Sequence, residues 1–255
     1  LDGVTGVQTC ALPISWPDLD APYRFEGLAR RVADLHAQGL AVAAFAGSVF
    51  EQAWYLRGME DLMLDMLEAP AAAHALLERT AAYQRRAAAE FARAGVDIVI
   101  TGDDVAGQTG LLMSPAMWRE FLRPHLAAAA RAVKEANPRA FVFYHSDGNV
   151  EALVPELIAA GVEILNPVQP ECMDPAAIKR RFGDRLSFWG TVSVQRTMPF
   201  GAPADVRAEV EDRIRTVARG GGLILAPAHV LGPEVPWENV VAFFEAADAT
   251  PVPPA

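Results

Sequence analysis

Two of the five histidines stand where chemistry can be done. His145 ends the apolar run AFVFYH and is followed two residues later by Asp147; His229 follows the apolar run GLILAP. In extended chain, residues i and i+2 point to the same side, so His145 and Asp147 can converge on one point. Imidazole with carboxylate suits zinc or another borderline divalent ion. An HxD pair alone fits a core histidine bonded to backbone equally well, so the other polar residues matter. His36, His74 and His125 lie in helical patterns, where a structural role is the default. Asp103 and Asp104 are adjacent carboxylates that resist joint ionisation, which suits a general acid or base, or a substrate anchor. Their plain alternative is the capping of a turn. Glu51 is either a further ligand or a solvent-facing carboxylate. Gln108, Asn166, Gln169 and Gln195 add amides suited to holding a polar substrate.

These residues need elements to position them. Short apolar runs at 40–46, 96–101, 140–145, 162–166, 185–190 and 222–227 read as strands, the first two as strands buried on both faces. Helical patterns separate them: one from Phe25, ended by Gly39; one across 49–67; one opened by Pro70 and broken at Gly95; and one from Pro115 to Ala136, kinked by Pro124. Later helices fall at 150–158, 175–181, 206–217 and 237–247. The stretch GDDVAGQTG reads as a polar loop. Strands alternating with helices make a parallel α/β fold. The strand exits carry Glu51, Asp103, Asp104, Gln108, His145, Asp147, Asn166, Gln169, Gln195 and His229, whereas the strand entries carry Gly39, Gly95, Gly161, Asp184 and Gly221. That asymmetry is what an active-site rim at the carboxyl ends of strands predicts.

Two architectures compete, a doubly wound sheet and a (β/α)8 barrel. The first needs a GxGxxG turn after its first strand, and none occurs. The run Gly220–Gly222 precedes a strand, so it reads as a helix-to-strand turn rather than a phosphate cradle. The barrel needs eight strands, and six are visible.

Composition limits the function classes. Of the 255 residues, 52% are hydrophobic and 21% charged, which excludes a disordered chain. The net charge of −10 argues against nucleic-acid partners and against a polybasic membrane anchor. No uncharged apolar run reaches the ~18 residues of a bilayer span. Cys10 and Cys172 are the only cysteines and form no CxxC pair, which suits a reducing cytoplasm.

The chain begins with Leu1, and residues 4–15, VTGVQTCALPIS, resemble a translated sequencing adapter. Residues 1–15 are therefore set aside as a non-native leader. Residues 16–249 read as one barrel domain and 250–255 as a tail.

The series GDDVAGQTGLLMSPAMWREFLRPH, FYHSDGNVEALVPELIAAGVEILNPVQ, MDPAAIKRRFGDRLSFWGTVSVQRTMPFG and LAPAHVLGPEVPWENVVAFFEA resembles the uroporphyrinogen decarboxylase superfamily, from about Trp16 to Ala247. The resemblance implies a (β/α)8 TIM barrel, here lacking its first two strands. It implies one of two chemistries. The first is zinc-dependent methyl transfer to or from a corrinoid on a partner protein, with a thiol or methylated compound as the small-molecule substrate. The second is metal-free decarboxylation of uroporphyrinogen in porphyrin biosynthesis. A non-catalytic fragment is the remaining alternative. His145 matches a zinc-branch ligand directly. Asp147 and His229 stand where many members carry cysteines, so carboxylate and imidazole replace thiolates and a bound metal becomes a stronger Lewis acid. Asp103 or Asp104 then manages a proton or anchors substrate. The decarboxylase substrate carries eight carboxylates, whereas the rim is acidic and amide-rich, with Arg196 its one evident cation.

Overall fold

The computed structural model describes residues 16–254. The leader read at 1–15 lies outside the described residues. In chain order the helices are α1 (Leu28–His36), α2 (Phe50–Arg57), α3 (Met59–Glu68), α4 (Pro70–Ala94), α5 (Pro115–Phe121), α6 (Arg123–Ala136), α7 (Val154–Ala160), α8 (Pro175–Phe182), α9 (Thr197–Phe200), α10 (Pro203–Thr216) and α11 (Trp237–Ala249). The strands are β1 (Ala43–Gly47), β2 (Ile98–Gly102), β3 (Ala106–Gly107), β4 (Gly110–Leu111), β5 (Phe141–His145), β6 (Ile164–Asn166), β7 (Ser187–Val192) and β8 (Leu223–Pro227). The fold is α/β, with a parallel sheet in the order β1-β2-β5-β6-β7-β8 and a separate antiparallel pair, β3-β4. Among the described residues, no helix is long and apolar enough to cross a membrane.

The chain divides into two compact units. The first runs through Asp103 and adds 116–142. Within it β1 lies parallel to β2, with Ala43 opposite Ile98 and Phe45 opposite Ile100, and Phe141 opens β5 by donating its N–H to the Asp97 carbonyl. Its core is built from Val32, Val96, Val99, Val133 and Val142 with a set of small alanines from α4 and α6. Alanine on facing helix surfaces lets backbones approach closely, which suits two long helices laid side by side. The three helical histidines have structural partners here. His36 bonds Asp97 at 2.9 Å, His74 stacks on Phe121 and His125 faces Glu78 at 3.5 Å.

The second unit holds 104–115 and the chain from Phe143 onward. It contains the rest of β5 and β6, β7 and β8, paired parallel with His145 opposite Asn166, Leu165 opposite Phe188 and Trp189 opposite Ile224. A core of Val192, Met198, Val206, Val210, Ile214, Ala242 and Phe243 packs α10 and α11 beneath the last strands.

Three local expectations change. The helical pattern across 49–67 is two helices, because Gly58 takes φ +90° and ψ 138°, a conformation that a helix interior does not allow. The stretch GDDVAGQTG is not loop throughout: it folds back as β3-β4, Ala106 opposite Leu111. The run 40–46 is not buried on both faces. Leu40 and Phe45 are exposed, since β1 has one strand neighbour among the described residues. Pro124 does interrupt the 115–136 helix, sitting in the first turn of α6 where its missing N–H costs nothing.

Candidate metal centre

His145 is the last residue of β5, and β8 ends two residues before His229. Three strand spacings separate β5 from β8, about 14 Å if the sheet were flat. The two imidazole centroids are 6.1 Å apart, so this half of the sheet curls to bring its strand exits together. Asp147 lies between them. Its Oδ1 is 3.8 Å from His145 Nε2 and its Oδ2 is 3.7 Å from His229 Nε2. One donor atom from each of the three residues lies within 4.8 Å of the others.

The loop after His145 is fastened at nearly every residue. Ser146 donates its N–H to the Asn166 carbonyl, and its hydroxyl accepts the Val105 N–H. Asp147 donates its N–H to Asp104 Oδ1 at 2.8 Å. Gly148 donates to Gln169 Oε1 at 2.6 Å, and Asn149 donates to the Gly107 carbonyl. Gly148 has φ +82°, and a Cβ there would sit 2.5 Å from the Gly107 carbonyl oxygen. No other residue fits between this loop and β3, so the hairpin that sequence patterning missed is what braces the Asp147 loop.

His145 is held from the opposite side. Its Nδ1 lies 2.5 Å from Asn166 Oδ1, and Asn166 Nδ2 donates to the Trp189 carbonyl at 2.7 Å. Burial pushes the Asp147 carboxyl up, the two histidines pull it down, and the nearby Asp104 carboxylate pushes it up. Asp147 Oδ1 is buried with no hydrogen-bond partner among the described residues. A buried acceptor without a donor is costly unless a cation meets it. Two imidazoles and one carboxylate are the donor set of an open, catalytic-type zinc site. The residues present therefore fit a borderline divalent ion.

The remaining rim residues divide by unit. In the second, Gln108 Nε2 donates to Gln195 Oε1, and Gln169 is buried beneath the Asp147 loop, its Oε1 also taking the Cys172 thiol. Asp104 Oδ1 stands 3.6 Å from His145 Nε2. In the first, Asp103 Oδ1 accepts three backbone N–H groups, from Val49, Phe50 and Glu51, at 2.9, 2.7 and 3.1 Å. That caps α2, a different helix from the one its sequence neighbours suggest. Burial pushes the Asp103 carboxyl up to about 8 against those three donors, and the Glu51 charge pushes the same way. Glu51 takes the Ser48 hydroxyl at 2.9 Å.

Sequence reading also passed over a second polar cluster at strand exits. The Ser193 hydroxyl donates to Glu171, accepts the Arg196 and Thr197 N–H groups, and so caps α9. Arg213 ties Glu209 to the Thr191 carbonyl. Ser193 follows β7 directly, so its place at the rim was visible, but nothing in its spacing tied it to Glu171.

The fold and the centre define a parallel α/β protein with a His/Asp/His cluster at the carboxyl ends of its strands. The chain belongs to the uroporphyrinogen decarboxylase (URO-D) family, an enzyme family, whose pattern it matches over residues 13–250. It is 31% identical over 156 residues to the methylcobamide:CoM methyltransferase of Methanosarcina barkeri, covering 61% of this chain and 42% of that protein. It is 24% identical over 155 residues to the uroporphyrinogen decarboxylase of Coxiella burnetii, covering 60% and 41%. A solved methyltransferase from Methanosarcina mazei superposes with a TM-score of 0.72 at 23% identity, covering 89% of this chain and 64% of that one, which shows a shared fold. The matched segment of the chain thus covers about two fifths of the length of these curated relatives.

Proposed function

We propose that this protein is the zinc-dependent methyltransferase type of its family, moving a methyl group between a corrinoid on a partner protein and a thiol or methylated small molecule. The observation that carries this is the convergence of His145, Asp147 and His229, with Asp147 Oδ1 buried and unbonded. The similarity to a methylcobamide:CoM methyltransferase points the same way. These three residues would hold the zinc, which supplies Lewis acidity to a coordinated sulfur or oxygen. Asp104, beside His145, takes the proton that a thiol gives up on methylation. Asp103 is spent on capping α2. Gln108 and Gln195, paired with each other by a hydrogen bond, would bind the polar end of the substrate. The corresponding fold is a (β/α)8 barrel, of which the six parallel strands are part.

Zinc-loaded protein, methylcobalamin and a panel of small thiols including coenzyme M test this. Thiol-dependent loss of the cobalt–methyl absorbance is expected, and it should disappear in His229→Ala. No demethylation with any thiol, together with carbon dioxide release from uroporphyrinogen, would transfer the protein to the decarboxylase branch.

A further inference from the structure

Asn166 ends β6 directly opposite His145 in the β5-β6 register, and its amide bridges β5 to β7. The direction of that bridge follows from its far end. The Trp189 carbonyl can only accept, so the Asn166 NH2 faces it at 2.7 Å. Asn166 Oδ1 must then face His145, and a carbonyl oxygen also can only accept. The hydrogen at the 2.5 Å contact therefore sits on His145 Nδ1. Among the described residues His145 Nε2 has no comparable acceptor: Asp104 Oδ1 is at 3.6 Å and Asp147 Oδ1 at 3.8 Å, both beyond hydrogen-bond length. In neutral imidazole that leaves the Nε2 lone pair free, directed at the point where Asp147 and His229 converge.

We infer that Asn166 is a positioning residue: through its carbonyl oxygen it fixes His145 as the Nδ1–H tautomer and so presents Nε2 as a ligand. Its orientation is set in turn by the main chain of β7, so the ligand geometry is referred to sheet backbone rather than to a mobile side chain. Both ends of the amide are engaged, which makes Asn166 a support of the centre rather than a contact for substrate. Outer partners of this kind set the tautomer and ring angle of metal-binding histidines and are worth ~10–100-fold in affinity.

This rests on the metal reading above, and the test separates the two. Long-range proton–nitrogen correlation spectra of metal-free protein, with His145 neutral, report which ring nitrogen carries the hydrogen. Wild type is expected to show Nδ1–H, Asn166→Leu to shift toward Nε2–H, and Asn166→Asp, which keeps an acceptor, to restore Nδ1–H. Zinc affinity should fall ~10–100-fold in Asn166→Leu and stay near wild type in Asn166→Asp. Nε2–H in wild type overturns the inference, as does an unchanged tautomer in folded Asn166→Leu. A wild-type protein with the Nδ1–H signature and no zinc affinity would instead defeat the metal reading alone.

Discussion

Zinc affinity in His145→Ala falls on the order of 100-fold or more, beyond the cost of losing an outer partner. The substitution removes one of three donors, and the two that remain, Asp147 and His229, touch through a single 3.7 Å contact. It also strands Asn166 Oδ1, which takes the His145 Nδ1 hydrogen at 2.5 Å. That orphaned acceptor costs about 1–2 kcal/mol of stability. The protein should nonetheless fold, because His145 lies at the partly exposed end of β5 while Phe143 and Tyr144 beside it stay buried. Competition with a chromophoric chelator measures the affinity, and far-ultraviolet circular dichroism checks the fold. Wild-type affinity in the variant would remove His145 from the centre.

Asp103→Ala should lower stability by about 3 kcal/mol or more. Three backbone N–H groups at the start of α2, two of them buried and that of Glu51 partly so, lose their shared acceptor, and an unpaired buried donor costs ~1–3 kcal/mol. Asp103→Asn behaves differently, because its Oδ1 still accepts all three. The pH dependence separates these roles. With its carboxyl raised to about 8, folded Asp103 holds a proton that the unfolded chain gives up near 4. Its contribution is complete below about pH 4 and is lost progressively as pH rises through 8. Glu51, the neighbouring carboxylate, adds to the penalty when both are charged. Between pH 6 and 9 the melting temperature of Asp103→Asn should therefore decline less steeply than that of wild type. Parallel declines would show that Asp103 is ionised throughout.

How far the sequence could be read depended on whether each feature is local. The six parallel strands and their order along the chain followed from apolar runs, because each run contains one strand of the sheet. Pro70 marked a helix start and Pro124 an interruption of the 115–136 pattern, through backbone geometry that proline imposes anywhere. The β3-β4 hairpin was not legible: strands of two residues carry no period, and its purpose, bracing Gly148, lies forty residues away. The split at Gly58 was hidden because the apolar pattern continues through it.

The centre divides in the same way. His145 and Asp147 could be paired from their i, i+2 spacing. His229 could be placed at the same rim, since a curled parallel sheet gathers its carboxyl ends. Asp103 and Asp104 looked like a pair, but neighbours on an extended chain point apart. Asp103 turns to cap α2, whereas Asp104 reaches the Asp147 loop. Asn166 was visible as a polar strand exit, but its role depends on the register of β5 against β6 and on a carbonyl in β7, neither of which side-chain spacing encodes.

On this proposal His145, Asp147 and His229 together hold one divalent ion. The most direct test is the zinc content of the wild-type protein after stripping with a chelator, reloading with zinc and gel filtration. One zinc per chain, retained through the column, is the predicted result. Zinc no higher than the buffer blank, from protein whose circular dichroism shows it folded, would contradict it.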